Sequence, residues 1–356
     1  MDKTNYGKYA LPIIIKLAEK YKIEYLLNDT YTGKCLVLKF DKQNVVLWDF
    51  PFNINHSSAI KVCTNKDICT SFLKRLGFSV PVSENFTRRS TEQNSDLIPL
   101  MYEFLGNLQS YNIGYPLILK PSNLSQGTGI VKINSLADAK TAFKHLNDYK
   151  TRTFIIQEFV RGKDFRIVVL NGEVIQAYER VPFSITGNGT ESIKDLVSKK
   201  IEQFKADDRD KPVDINDERL WRCVANAGFK PADILDVGKT IKLQDIANLS
   251  LGGTSKDCTK SITNHFKKLS ANIAKSLGLE LCGIDILADS ISDPQKTDYS
   301  ILEVNSAPGL DNYLYTSPNQ QEKYVELLYE KIFVYLLNKY STKKKPKDIE
   351  SYEEKE

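Results

Sequence analysis

Residues 117–130, LILKPSNLSQGTGI, join an apolar run to a lysine and a polar loop with two glycines. Lys120 supplies a positive charge, and Gly127 and Gly129 let the backbone approach a ligand closely. Such a loop can lay N–H groups against phosphate, although ordinary turns also contain glycine pairs. The spacing matches neither GxxxxGK[ST] nor GxGxxG. A phosphate-binding loop and an ordinary turn therefore both remain open.

Three oxygen-bearing side chains lie on two predicted strands near the C-terminus. GIDILAD (283–289) contains Asp285, and YSILEVN (299–305) contains Glu303 and Asn305. Because alternate side chains of a strand share a face, Glu303 and Asn305 point the same way, and Asp285 joins them if the strands are adjacent. Carboxylate and amide oxygens suit Mg²⁺. A solvent-facing polar surface is the alternative, which the apolar residues between these positions disfavour.

Further candidate residues flank a predicted hairpin at Asn171-Gly172, the strongest turn signal of the chain. Arg166 and Arg180 lie on its two strands, where arginines either improve solubility or orient a substrate carboxylate through two parallel hydrogen bonds. The segment NLSLGG offers backbone donors to a phosphate or carboxylate. Its candidate residues are Asn248, Ser250, Gly252 and Gly253.

Composition excludes several classes of function. The chain has 356 residues, 41% hydrophobic and 26% charged, as in globular proteins with two or three packed units. The net charge is +4 and the one dense basic run, KKKPK at 343–347, lies in a terminal tail, so we expect no nucleic-acid partner. No apolar run reaches 18 residues and Lys16 and Glu19 interrupt the start, which predicts a cytoplasmic protein without a membrane span.

The cysteines show neither a CxxC pair nor histidine spacing for a zinc site. Cys63 and Cys69 are the nearest pair, and a redox or metal role for them stands beside the simpler interpretation of reduced, partly buried thiols in a cytosolic protein. The six cysteines are Cys35, Cys63, Cys69, Cys223, Cys258 and Cys282.

The order of predicted elements indicates a mixed α+β fold. Residues 1–62 resemble a small α/β lobe, and a strand, loop, strand, helix, strand pattern begins at 116. Residues 205–255 are polar and too long for a passive connector, which suggests an irregular substrate or lid loop. The charged tail, 339–356, is expected to be disordered.

Seven ordered motifs give the chain a specific resemblance. In chain order they are NKDICTSFLKRLGFSVP, LILKPSNLSQGTGI, IIQEFVRGKDFRIVV, YERVPFSITGNGTESIKDLV, ANLSLGGTSKD, LCGIDIL and ILEVNSAPG. They resemble the ATP-grasp ligase superfamily, and most of all the ATP-grasp parts of the cyanophycin synthetases and of the fused glutamate–cysteine ligase/glutathione synthetases. The resemblance covers about residues 58–315. It implies an ATP-grasp fold, two α/β subdomains that grip ATP, over residues 63–338.

The resemblance also implies an ATP site. Lys66 and Lys120 would contact the phosphates, and the Ser122–Gly129 loop would close over them. The hinge between the two halves would lie near 157–164, with backbone groups reading the adenine edge and Asp164 holding the ribose. The implied ATP-binding residues are Lys66, Lys120, Ser125, Gly127, Gly129, Gln157, Glu158, Val160 and Asp164.

The implied activity is ligation of a carboxylate to an amine through an acyl phosphate, with release of ADP. Two Mg²⁺ ions, for which Mn²⁺ can substitute, would bind Asp285, Glu303 and Asn305. The implied catalytic residues are Arg166, Arg180 and Asn248, and the implied substrate-binding residues are Ser250, Gly252 and Gly253. An amino acid or short peptide is the expected substrate. Two alternatives remain open: a ligase that modifies a larger ribosomal peptide, and an ATP-binding protein without ligase activity. Whether the protein forms a homo-oligomer also remains open.

Several positions depart from the family pattern. Gln157 replaces a usual glutamate, and a glutamine still accepts a bond from the adenine amino group. Asn123, Leu124 and Ser125 replace Asp, Gly and Asn in the phosphate loop, which makes that loop stiffer. Gln244 replaces an expected arginine, which counts against carrying over the acidic substrate of cyanophycin synthesis.

Overall fold

The computed structural model describes residues 10–28, 35–48, 52–88, 97–124, 129–149, 151–206, 213–244, 247, 252–310 and 318–342. The chain divides into two compact units. One contains residues 1–56 and 307–356, and the other contains residues 57–306. The division into 1–62, 63–338 and 339–356 drawn from the sequence remains a prediction.

The smaller unit packs two helices and an antiparallel sheet. Its elements are α1 (Ala10–Lys20), β1 (Glu24–Asn28), β2 (Cys35–Lys39), β3 (Asn44–Trp48) and α9 (Pro318–Tyr340). Strand β2 pairs with β3 in antiparallel orientation. Apolar residues of α1 at helical spacing are buried, and Tyr21 stacks on Phe333 of α9 at 5.5 Å between ring centroids. Among the helices that the structure describes, none is both long and apolar enough to cross a bilayer.

The larger unit begins with a four-stranded antiparallel sheet of order β4-β7-β5-β6. Its strands are β4 (Ser83–Thr87), β5 (Leu117–Pro121), β6 (Val131–Ile133) and β7 (Thr153–Glu158). The helices in this stretch of sequence are α2 (Ser57–Thr64), α3 (Lys66–Arg75), α4 (Leu97–Gly106) and α5 (Leu136–Lys144). Ser135 caps α5 by accepting a hydrogen bond from the Asp138 amide at 3.2 Å.

A five-stranded sheet of order β12-β9-β8-β13-β14 follows. Its strands are β8 (Lys163–Leu170), β9 (Glu173–Val181), β12 (Thr254–Asp257), β13 (Leu281–Ala288) and β14 (Tyr299–Asn305). The β8–β9 hairpin is confirmed, with φ of 50° at Asn171 and 80° at Gly172, as a tight hairpin turn of this type requires. Helices α2, α3 and α8 (Asn264–Ser276) cover the apolar face of this sheet.

Residues 205–255 are less irregular than the sequence suggested. They include α7 (Glu218–Asn226) and β11 (Thr240–Lys242), which pairs with β10 (Ser184–Thr186) beside α6 (Ile193–Ala206). The signal for α7 was present, because Leu220, Cys223 and Val224 are buried at helical spacing behind the cap Asp217. Polar residues on its outer face concealed that pattern. The α+β class is confirmed.

Candidate active site

One face of the five-stranded sheet carries a continuous set of polar and charged side chains. Strand register aligns Tyr178 of β9, Arg166 of β8, Asp285 of β13 and Glu303 of β14 in one line across four strands. Side chains alternate between the two faces of a sheet along each strand. The apolar neighbours of these four residues therefore point to the opposite face, where they pack in the core. The predicted convergence of Asp285 with Glu303 is thus confirmed by direct pairing.

Asp285 is held by two arginines. Its side chain is 1% exposed. Arg166 donates to both of its oxygens, through Nε to Oδ1 and through Nη2 to Oδ2, the latter at 2.9 Å. Arg180 Nη2 also lies 2.9 Å from Oδ2. In this arrangement Asp285 is the counter-ion of the two arginines. Its role as a metal ligand stays a prediction, because binding a metal would require Asp285 to release Arg166 or Arg180.

Asp164 completes this charge cluster. Arg180 donates to Asp164 Oδ1 through Nε at 3.0 Å and Nη2 at 2.7 Å. Burial raises the pKa of Asp164, an effect that Arg180 opposes and Asp285 reinforces. Burial alone lowers the pKa of Arg180, but Asp164 and Asp285 raise it above its ordinary value. The guanidinium therefore stays charged. The ribose role expected for Asp164 remains a prediction.

Lys66 and Glu303 form the second charged pair of this face. Lys66 begins α3, and its Nζ lies 3.3 Å from Glu303 Oε2 and donates to the Leu124 carbonyl at 2.6 Å. Asn305 Nδ2 donates to Glu303 Oε1 at 3.0 Å. Burial alone raises the pKa of Glu303, but Lys66 and Asn305 lower it to about 2. Glu303 is thus an anion at every physiological pH.

Lys120 approaches the same carboxylate from the four-stranded sheet. It is 7% exposed. Burial lowers the pKa of Lys120 to about 8, with Glu303 opposing and Lys66 adding to the decrease. Two lysines and a glutamate from three separate elements therefore meet at one place, an arrangement suited to binding a polyanion.

The loop after β5 is anchored to α3. Ser122 Oγ donates to Asp67 Oδ1 at 2.6 Å. Gly129 has φ of 74°, and a side chain there would meet Pro121 Cγ at 2.7 Å, so this position requires glycine. Ser125 and Gly127 lie outside the described residues.

The predicted hinge follows β7. Gln157 is buried and pairs with Ser83 and Ile118 in the sheet. Glu158 Oε1 accepts a hydrogen bond from the Val82 amide at 2.8 Å, so its side chain holds the chain just before β4. Val160 is half-buried. Their contacts with adenine remain predictions.

Gly252 and Gly253 lead into β12, whose Ser255 lies opposite Arg180. Gly252 has φ of 94° and lines a cavity of about 420 Å³ with Phe183, Lys200 and others. Asn248 and Ser250 lie outside the described residues.

Comparison with known proteins identifies the fold. The family profile described as “D-ala D-ala ligase C-terminus” matches residues 72–203, and the profile described as “RimK-like ATP-grasp domain” matches residues 240–328. The chain belongs to the ATP-grasp superfamily. A bifunctional glutathione synthetase from Pasteurella multocida has a TM-score of 0.59 at 20% identity, and the match covers 92% of this chain and 45% of that chain. This likeness confirms the expected ATP-grasp fold.

Curated relatives match the same region. The cyanophycin synthetase of Crocosphaera subtropica is 30% identical over 268 residues, which cover 74% of this chain and 29% of the relative. The glutathione biosynthesis bifunctional protein of Streptococcus thermophilus is 25% identical over 279 residues, 76% of this chain and 35% of the relative. This ATP-grasp chain thus spans about a third of the length of these relatives.

Two residues of the candidate site escaped the sequence reasoning. Tyr178 is buried between the arginines, and Asp67 anchors the loop after β5. Period-two spacing before Arg180 is a signal that points to Tyr178. No local pattern identifies Asp67, because its partner lies 55 residues away.

Only part of the predicted ligand set, Asp285, Glu303 and Asn305, is placed to bind a divalent cation. Within the described ranges, no three His, Cys, Asp or Glu side chains form a metal-binding group. Glu303 and Asn305 nevertheless fit, because Mg²⁺ at nucleotide sites needs only one or two carboxylates beside phosphate oxygens. As placed, Asp285 does not contribute, since both of its oxygens bind arginine.

Replacing Lys120 with alanine is expected to weaken binding of a non-hydrolysable ATP analogue about ten- to a hundredfold, the loss of one charge-assisted hydrogen bond. Titration calorimetry measures this, with Lys16→Ala as the control, since Lys16 forms an exposed pair with Glu326 in the other unit. Equal affinities in the Lys120→Ala and Lys16→Ala variants would show that residues 117–130 form an ordinary turn and not a phosphate-binding loop.

The affinity of the wild-type protein for the ATP analogue should also decrease as pH rises through about 8, because Lys120 loses its proton there. Lys120→Arg should abolish that decrease.

Proposed function

We propose that this chain is an ADP-forming carboxylate–amine ligase that makes an amide bond through an acyl phosphate. One observation carries the proposal: Lys66, Lys120 and Glu303 meet beside two buried arginines on one sheet face. The lysines suit the phosphates of ATP, and the arginines suit an acid substrate. Both kinds of group are needed to bring a carboxylate to a terminal phosphate.

Each residue has a role in positioning or charge stabilisation. Lys66 and Lys120 bind the phosphates, and the loop anchored by Asp67 excludes water from them. Glu303 and Asn305 would hold Mg²⁺, which would neutralise charge on the phosphates and their leaving oxygen. Arg166 and Arg180 orient the substrate carboxylate for attack on the γ-phosphate. The acyl phosphate then reacts with an amine, giving an amide, ADP and phosphate, and positioning with electrostatics carries the catalysis.

The remaining assignments belong to the same proposal. Asn248 is the third catalytic residue beside the two arginines. Ser250, Gly252 and Gly253 bind the substrates, which are an amino acid or a short peptide. Mn²⁺ can substitute for Mg²⁺. The protein is cytoplasmic. Measuring ADP release across amino acids and dipeptides identifies the substrate pair.

An isotope experiment tests the reaction class. Acid substrate labelled with heavy oxygen should transfer one labelled oxygen to inorganic phosphate, because an acyl phosphate loses that oxygen with the phosphoryl group. Mass spectrometry of phosphate and nucleotide measures the label, and ADP should be the nucleotide product.

Label in AMP with release of pyrophosphate would instead indicate an adenylating ligase. A complete lack of labelled phosphate and nucleotide under every substrate pair, with ATP still bound, would favour the ATP-binding protein without ligase activity.

A further inference from the structure

A second row of side chains lies beside Lys120 on the same face of the four-stranded sheet. Strand register aligns Lys132 of β6, Ile118 of β5 and Gln157 of β7 across three strands. Ile118 is two residues before Lys120 on β5, so both side chains point to one face, and the two rows are about 7 Å apart. The row of Gln157 therefore continues the face that carries Lys120.

Gln157 is the residue of this row with unused hydrogen-bonding groups. Its side chain is 8% exposed. Among the residues that the structure describes, none forms a hydrogen bond with its carboxamide. Buried polar groups of proteins are almost always hydrogen-bonded. A ligand that lies on this face would supply the missing partner.

The surroundings of Gln157 suit a planar base. Ile118 provides apolar surface on the neighbouring strand. Phe159 follows Gln157 by two residues, and the Lys132 Nζ lies 4.4 Å from the centroid of its ring. Apolar and aromatic side chains with a few placed polar groups are the usual lining of a small-molecule site. If a triphosphate lies at Lys120, its base falls on this neighbouring row.

The strands place no carboxylate on this face. Alternate positions counted from the paired residues of the four described strands contribute only serine, asparagine, threonine, isoleucine, glutamine and lysine to it. A carboxylate only accepts hydrogen bonds, so it suits the 6-amino group of adenine and repels a carbonyl oxygen at the same position. A carboxamide carries both an oxygen and an NH₂ group, and rotation of its end exchanges the two.

We infer that Gln157 allows this site to bind purine nucleoside triphosphates with either an amino group or a carbonyl oxygen at C6. With ATP, Gln157 Oε1 accepts a hydrogen bond from the amino group. With GTP or inosine triphosphate, Nε2 donates to the carbonyl oxygen. Lys132 adds a positive charge to the same row, which suits the carbonyl oxygen and N7 of a 6-oxo purine. The inference rests on the proposed ATP site and widens the range of nucleotides that it takes.

Titration calorimetry on the full chain compares the non-hydrolysable imido analogues of ATP and of inosine triphosphate. Inosine has the C6 carbonyl oxygen without the 2-amino group of guanine, so the comparison isolates position 6. The wild-type protein should bind both analogues with affinities within about tenfold, because each forms one hydrogen bond with Gln157. Gln157→Glu should keep the affinity for the ATP analogue and lower that for the inosine analogue about ten- to a hundredfold, since a carboxylate has no donor for the carbonyl oxygen.

Two further variants accompany this comparison. Gln157→Met has a similar size without hydrogen-bonding groups, and it should lower both affinities by the same factor. Gln295→Glu is the matched control, because it makes the same change at an exposed position between β13 and β14 and should leave both affinities unchanged. Circular dichroism monitors the fold. If Gln157→Glu does not fold, the wild-type ratio and Gln157→Met decide.

Three results would overturn the inference and leave the ATP site intact. One is a wild-type preference for the ATP analogue of more than about a hundredfold, beyond what one hydrogen bond explains. Another is a folded Gln157→Glu variant with the wild-type ratio of affinities. The third is wild-type affinity for both analogues in Gln157→Met, because the amide would then not contact the base. Failure of the wild-type protein to bind either analogue would instead refute the ATP site of the proposed function, and this inference with it.

Discussion

Changing Glu303 to glutamine is expected to lower the rate of ADP formation more than about a hundredfold while the fold survives, because even the loss of an outer-shell partner of a metal ligand costs 10–100-fold. The substitution keeps the size of the side chain but removes the charge that faces Lys66 at 3.3 Å. Asn305→Ala should have a similar effect, since Asn305 bonds to the same carboxylate. A coupled assay for ADP measures turnover, and circular dichroism monitors the fold.

Glu179→Gln is the matched control. Glu179 lies on β9 of the same sheet, opposite Phe165 and therefore on the other face, and pairs with Lys163 at 3.6 Å. It should keep turnover close to that of the wild type. If Glu303→Gln also produced ADP at the wild-type rate, the metal assignment to Glu303 would have to be abandoned.

Asp285→Ala is expected to reduce the free energy of unfolding by about 3–5 kcal/mol, the usual cost of leaving a buried charge without its partner. The change removes acceptors from both Arg166 and Arg180, which are themselves buried. Urea denaturation followed by circular dichroism measures the loss.

The control is Asp289→Ala, only four residues away, where an exposed pair with Lys296 at 3.6 Å should contribute less than about 1 kcal/mol. An equal shift of the two urea midpoints would mean that water screens the Asp285 pair as it screens a surface pair.

Much of the site followed from the alternation of side chains along strands. That rule placed Glu303 and Asn305 on one face and allowed Asp285 to join them, and the observed register pairs Asp285 with Glu303. The Asn171-Gly172 turn followed in the same way from local chemistry. Local rules thus predict which face of a strand a side chain occupies.

What sequence could not provide is the order of strands in the sheet. Arg166 meets Asp285 across 119 residues because β13 lies between β8 and β14, and no local pattern determines that position. For the same reason the sequence presented Arg166 as a substrate ligand and Asp285 as a metal ligand, without the bond between them. Helix α7 was missed because its buried residues are few and polar residues cover its outer face.

The cluster of two arginines and two aspartates also sets a condition on any anion that binds to it. Arg166 and Arg180 carry two positive charges, and Asp164 and Asp285 carry two negative ones, so the floor of the site is electrically neutral. Chloride or free phosphate entering alone finds guanidinium groups whose donors already serve carboxylates, and would have to displace one of these at the expense of a buried bond. The same condition applies to the substrate carboxylate of the proposed function, which must replace Asp164 or Asp285 as an acceptor. An incoming anion therefore exchanges with a carboxylate of the cluster instead of adding to a free positive charge.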